Sequence, residues 1–511
     1  EPSGKPASLR ILDWQCSGLA SPVLDLSYFI YTCCDTAKYK DVKDLLRVYY
    51  DSLNECLTYL GCDASNIFAY EHLLQHWKMF SLYGLVNSAF ILKYSLCDSD
   101  EAPDLAQAAE QEWIQLIVKS EDLLEYKIQV EGKTRKDEGY LSNIVFVTVN
   151  GKTTTGEDKC LNLVIKSSKP SDKFRQQIPT KEIFEKEIYI YNSVVTSFKT
   201  FQEEMGKENF LDFISRCYAA QISDSGKLLI FENLKCQGYN LWDRKIPMTF
   251  DHIKLVLQAY GKWHAFSLAL RNKQSQTFEK LIKNNTNSFS SFVQKVQMVD
   301  TMFQVFERAK DLSRITSNER ELLQFTTSDI KNIFTDFYAE DPARQVILHG
   351  DGWNNNFMFK TEVNSLETGQ PTSVRILDWQ CSGLASPVLD LSYFIYTCCD
   401  TEKYKDVKDL LKIYHDSLGK CLSYFGCDVH KIFAYANLLE HWKKYSRYGL
   451  VLSGFLITVS VCEANEAPDF AEAAEQGKSF IDSLKFTSKN EEVYSKRMKG
   501  NFLHYIKNLN I

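Results

Sequence analysis

The spacing of apolar positions changes character twice along the chain. Over 41–60, Val42, Leu45, Tyr49, Leu53, Cys56 and Leu60 recur at helical spacing, and Gly61 is placed to end that helix. From about 140 to 235 the pattern shifts to short runs, IVFVTV (144–149), LNLVIK (161–166) and LLIFE (228–232), which predict antiparallel strands of a small sheet. Between them, Ile183, Phe184, Glu187, Ile188, Tyr191 and Val194 or Val195 return to helical spacing and put Glu187 one turn before Tyr191 on the inward face. Helical periodicity then dominates, as in 251–270 (DHIKLVLQAYGKWHAFSLAL), where a buried, hydrogen-bonded His264 is expected. One strand–loop–strand hairpin interrupts it at 345–380, with the sequences QVILHGDGWNNNFMFK and VRILDWQ. The predicted class is α+β, with a small antiparallel lobe over 112–235 and a large, mainly helical lobe over 236–511.

A long repeat precedes this unit. Residues 10–36 are identical to 375–401, and the match runs without a gap to EAPDLAQAAE (101–110) against EAPDFAEAAE (466–475). A repeat of that length is a duplicated domain and not a solenoid. The first copy owns Asp13, the counterpart of Asp378, but nothing that matches His349, Asp351 or Asn356. Residues 1–111 therefore read as the C-terminal subdomain of an incomplete upstream copy. The chain opens EPSGKP without an initiator Met, which fits sequence missing upstream.

Composition narrows the function. The 511 residues exceed one ordinary core, and a net charge of −7 argues against a large nucleic-acid footprint. The longest apolar run, 449–462, is too short to span a bilayer, and its duplicate at 84–97 carries Asn87 and Lys93, so no membrane association is expected. Fifteen cysteines form no C-x-x-C pair; Cys33-Cys34 and Cys398-Cys399 lie in apolar segments and read as small buried thiols in a reducing, cytoplasmic setting.

The hairpin carries the candidate chemistry. His349, Asp351 and Asn356 share one loop, and Asp378 ends the next strand. Two carboxylates and an amide so arranged suit a site that holds Mg²⁺ and deprotonates a hydroxyl. Hydrolysis by a His/Asp metal cluster would need more ligating side chains than this stretch supplies. The strand ending LVIK offers Lys166, and the helix after it Glu187, as an ion pair on nucleotide phosphates, with Lys169, Lys181 and Lys186 as nearby competitors. Glu232-Asn233-Leu234, after the last small-lobe strand, stand where a hinge would offer backbone groups to an adenine edge.

Taken in order, Lys166, the F-x-x-E-x-x-x-Y stretch from Phe184 to Tyr191, Glu232-Asn233-Leu234, GKWHA (261–265), HGDGWNNN and ILDWQ-x8-VLDLSYF resemble the insect ecdysteroid kinase-like (CHK kinase-like) family. That family belongs with choline kinases and aminoglycoside phosphotransferases in the protein-kinase-like fold. The resemblance covers 112–511 as a full domain and 1–111 as a partial one. It implies an ATP- and Mg²⁺-dependent kinase acting on a hydroxylated small molecule, such as an ecdysteroid or xenobiotic. Asp351 would be the base, Asn356 and Asp378 the metal ligands, Lys166 and Glu187 the phosphate-binding pair, and His349 would shape the catalytic loop. Asp390 would brace the helical lobe. Backbone near Ser142 stands where a phosphate loop would be, although Glu138–Asn143 contains one glycine. No A-P-E element follows Asp378, which favours a small molecule over a protein as acceptor. The competing class is a nucleotide- or ligand-binding protein without turnover.

Overall fold

A computed structural model describes the chain except at residues 1–19, 35–40, 96–116, 134–141, 169–171, 207, 224–225, 286, 362–368, 464–465, 467–469, 485–488 and 510–511. Asp13 and most of the 138–143 segment lie outside the described residues. The chain divides into two units, Glu1–Glu112 and Trp113–Ile511.

The first unit is helical where described: α1 (Pro22–Cys33), α2 (Val42–Tyr59) and α3 (Tyr70–Ser95). Asp41 starts α2 by accepting the Lys43 amide at 2.9 Å, and Gly61 follows its end at φ +75°. Val23, Ile30, Leu46 and Leu73 form a small core. Gly84 lets α3 approach α1, because a Cβ there would fall 2.2 Å from the Ser27 backbone. Tyr59, Leu60, Leu82 and Val86 are exposed. The expectation of buried thiols fails here, since Cys33 is exposed and Cys34 half-buried. A core this small cannot cover every apolar position of three helices. In the second unit, Cys398 and Cys399 are buried as expected.

The second unit has the expected two-lobed form, a small antiparallel sheet joined to a large helical lobe. Its small lobe is an antiparallel sheet of β1 (Leu123–Lys133), β2 (Ser142–Thr153), β3 (Asp158–Ser168), β4 (Cys217–Ser223) and β5 (Gly226–Glu232), in the order β1-β2-β3-β5-β4. Period-two alternation gives the sheet two faces. Val145, Val147, Leu163, Ile165 and Ile230 build a core on one, while Ile144, Phe146, Val164 and Lys166 line a cavity on the other. Helix α4 (Thr180–Tyr189) continues through a π-helical turn, Ile190–Val195. It brings Ile183, Glu187 and Tyr191, each four residues apart, to the same cavity.

The helical lobe packs around α5 (Phe250–Lys273), whose burial runs from His252 to Leu270. Helices α6 (Ser288–Lys295), α7 (Val299–Leu312), α8 (Val388–Cys398), α9 (Val407–Tyr424), α10 (Arg447–Val461) and α11 (Glu491–Lys507) complete it together with further helices. Into this lobe is set the hairpin. A short pairing of β7 (Val346–Ile347) with β10 (Leu384–Ala385) closes its base, and β8 (Phe357–Thr361) pairs antiparallel with β9 (Pro371–Ile376) on one side and with β6 (Tyr239–Leu241) on the other. Among the described residues, no helix is long and apolar enough to cross a membrane. The run over 449–462 is instead the buried helix α10.

Candidate active site

Lys166 is the point where the two lobes meet. It ends the cavity face of β3 at 6% exposure, and its Nζ lies 2.6 Å from Glu187 Oε2 and 2.8 Å from Asp378 Oδ1. Burial works against its charge, but Asp378 and Glu187 together hold the ammonium above the ordinary lysine range. The competing lysines stand elsewhere: Lys181 is largely exposed, Lys186 donates to Asn285 Oδ1 at 2.8 Å, and Lys169 lies outside the described residues.

The loop between β7 and β8 carries Asp351. Gly350 precedes it at φ +84°, where an added Cβ would lie 2.1 Å from the Cys381 carbonyl oxygen, so only glycine fits. Asp351 accepts the Tyr393 hydroxyl on Oδ1 at 2.8 Å and Asn356 Nδ2 on Oδ2 at 2.9 Å. Burial, then the Asp378 charge, pushes its carboxyl up to about 7, against the lowering effect of those two hydrogen bonds. Asp378 follows β9 in the left-handed region, at φ +63°, a conformation aspartate tolerates better than most residues. It accepts Gln380 Nε2 on Oδ2 at 3.1 Å, and the Leu377 amide donates to the Asn356 carbonyl at 2.9 Å, so the two halves of the hairpin are tied beside the site.

His349 sits behind this loop and is fully buried. Nδ1 lies 3.1 Å from the Tyr260 hydroxyl and Nε2 lies 2.9 Å from the Leu377 carbonyl oxygen. Burial lowers its pKa, so it is a neutral ring that donates to Leu377. It is not among the residues lining the cavity and joins the Asp351 loop to the Asp378 strand. Asp390, on α8, does more than brace helices: its carboxylate accepts the backbone amides of His349 and Gly350, both at 2.8 Å, and His264 Nε2 lies 3.1 Å away. Tyr393 is three residues on, on the same helical face, and was not anticipated as a partner of Asp351. That i, i+3 spacing within VLDLSYF was the available signal.

All the other expected residues border one cavity of about 320 Å³: Ser142, Glu232, Asn233, Leu234, Asn356 and Asp378 join Lys166, Glu187 and Asp351. Asn233 caps the turn after β5 by accepting the Lys235 amide, which fixes the connection between lobes. The donor set of one carboxylate, Asp378, and one amide, Asn356, suits Mg²⁺, which keeps several waters and takes further ligands from phosphates. Among the described residues, no three His, Cys, Asp or Glu side chains gather into a closed metal site.

The family model described as the Ecdysteroid kinase-like family matches residues 1–62 and 136–427. The two matched stretches end at Cys62 and Cys427, which are equivalent places in the two sequence copies. Among solved structures, the GDP complex of wild-type aminoglycoside 2'-phosphotransferase-IIIa aligns at 13% identity over 72% of this chain and 98% of its own, with a TM-score of 0.32. Choline kinase LicA from Streptococcus pneumoniae aligns at 12% identity over 77% and 99%, with a TM-score of 0.29. A search of curated proteins finds no match.

Proposed function

The chain belongs to the ecdysteroid kinase-like family, and on that premise we propose that it is an ATP- and Mg²⁺-dependent phosphotransferase whose acceptor is a hydroxyl on a largely apolar small molecule. One observation carries the reading: Lys166, Glu187, Asp351, Asn356 and Asp378 converge on a single cavity, the first two from the small lobe and the others from the catalytic hairpin. Asp351 takes the proton of the acceptor hydroxyl as that oxygen bonds to the γ-phosphorus. The bond to the β-phosphate bridging oxygen breaks, and ADP leaves. Lys166 is a point charge for the phosphates, steadied by Glu187, and the peptide groups of Glu232 and Leu234 border the adenine end. Asp378 and Asn356 would hold Mg²⁺, which neutralises phosphate charge when bound. His349 keeps the loop and the Asp378 strand together.

The rest of the cavity supports the acceptor class. Phe289, Phe292, Met298, Met302, Phe455 and Leu456 line it, and among the described residues its carboxylates are Glu187, Glu232, Asp351 and Asp378. A polycationic sugar would need acidic partners beyond these, whereas an ecdysteroid or other hydroxylated, fused-ring compound would bury its apolar body there. The free thiols of the described cysteines fit a reducing cytoplasmic setting. Residues 1–111 fit a partial duplicate of the helical subdomain: α2, Val42–Tyr59, has its counterpart in α9, Val407–Tyr424.

The test is Mg²⁺-ATP-dependent phosphate transfer by the full chain to a panel of hydroxylated steroids, plant metabolites, choline and aminoglycosides. Transfer to the apolar alcohols is expected. A protein that binds the nucleotide and transfers to nothing would point to a binding protein without turnover. The pH profile gives a second check. A base must be unprotonated, and burial with the Asp378 charge raises Asp351 to about 7. The rate constant kcat should therefore rise with pH through the neutral range and flatten above it. With Mg²⁺ held at Asp378 the second of those causes would be offset, so the rise would sit toward the acid side of that range. A kcat that falls with pH across 5–8 would exclude Asp351 as the base.

A further inference from the structure

We propose that Tyr393 is a positioning residue for the proton-accepting step, an inference that rests on the phosphotransferase reading above. Its phenol O–H holds Asp351 in the orientation that receives the acceptor's proton. The torsion that turns an aspartate carboxylate is broad and roughly two-fold, so a base with one partner swings. Asp351 has two partners, one on each oxygen: the Tyr393 hydroxyl at 2.8 Å on Oδ1 and Asn356 Nδ2 at 2.9 Å on Oδ2. Each oxygen keeps a second acceptor direction free for the substrate hydroxyl.

Tyr393 is fit for the task because burial restricts it: it is 4% exposed on α8. One turn earlier the same helix face presents Asp390, which fixes the backbone amides just before the base. A single helix thus sets both the main chain and the side-chain orientation of Asp351. Tyr393 also lines the cavity beside the apolar wall, so its phenol stands where the acceptor body meets the base. The sequence repeat supplies a contrast: Tyr28, the equivalent residue, is 38% exposed in the first unit.

The test compares Tyr393→Phe, Asp351→Asn and the double variant, all in the full chain, with Tyr448→Phe as control. Tyr393→Phe should lower kcat about tenfold to a hundredfold with acceptor KM and Mg²⁺-ATP affinity unchanged. Added to Asp351→Asn it should cost nothing further, because no carboxylate remains to be oriented. Tyr448→Phe deletes an equally buried hydroxyl, 2.9 Å from that of Tyr338, and should keep the parent kcat. Full kcat in Tyr393→Phe, or losses that multiply in the double variant, would overturn the inference while leaving the phosphotransferase reading intact. A parent that transfers to no acceptor overturns both.

Discussion

Replacing Asp351 with Asn is expected to lower kcat by about 10²–10⁴-fold while Mg²⁺-ATP still binds. The substitution keeps the shape of the side chain and removes its capacity to take a proton; its single oxygen can still accept from Asn356, and its amide nitrogen can face the Tyr393 hydroxyl, which accepts as well as donates. It also carries a stability signature that separates lost chemistry from lost folding. The carboxyl is raised from 3.8 to about 7 in the folded protein, chiefly by burial. Between those values the folded state binds more protons than the unfolded one, so this group makes stability fall as pH rises through the window, and its ionised form weighs against folding above it. The Asn variant carries no such charge. Its unfolding midpoint at pH 8 should equal or exceed the parent's while its turnover collapses. Turnover within a factor of a few of the parent would remove Asp351 from the mechanism.

The second large effect is expected at Asp390, which touches no substrate. Its carboxylate is 1% exposed and receives the His349 and Gly350 amides, with His264 Nε2 at 3.1 Å and the Tyr414 hydroxyl 3.1 Å beyond, on the other ring nitrogen. Asp390→Ala strands two buried backbone donors, each worth about 1–3 kcal/mol when unpaired, and opens a void. A loss of about 3–5 kcal/mol follows, read as a lower urea midpoint with an unchanged slope. Asp390→Asn should recover little, because its amide nitrogen must face one of the two N–H groups. The loop these amides belong to carries Asp351, so kcat should fall about a hundredfold in whatever protein remains folded. A midpoint within about 0.5 kcal/mol of the parent, the range of an ordinary surface change, would show that the loop is held by something else.

The strands anticipated from 144–149, 161–166 and 228–232 lie within β2, β3 and β5 because those segments sit in the middle of the sheet, where alternation between core and cavity is strict. The two outer strands were harder to see. β1 alternates Tyr126, Ile128 and Val130 with charged or polar residues, but an edge strand faces its core less fully, and Val130 is 43% exposed. β4 pairs only with β5, is bulged between Cys217 and Ala219, and is poor in β-branched residues, so its strand state comes from its neighbour and not from its composition. At the candidate site, the polar side chains that line the cavity left a mark in the sequence: Lys166, Glu187, Asp351, Asn356 and Asp378 were each legible by type and order. What tertiary approach creates was not. The contacts of Asp390 with two backbone amides and of Tyr393 with Asp351 join residues 40–42 positions apart, and only the packing of α8 against the hairpin brings them together.

Lys166 neutralises Asp378 Oδ1 at 2.8 Å, across the gap between lobes. On the proposed reading a divalent cation binding alone at Asp378 would face that ammonium, and a nucleotide binding alone would draw Lys166 from a carboxylate left unpaired. Bound together they would exchange partners, with Lys166 turning to the phosphates and Asp378 to the cation. Such an exchange is heterotropic cooperativity, and by linkage it is reciprocal, each ligand tightening the other by the same factor. Titration calorimetry should find Mg²⁺ and ATP binding more tightly as a pair than the product of their separate affinities allows. Lys166→Met, which leaves Asp378 unguarded, should let the bare cation bind more tightly while much of that mutual gain disappears.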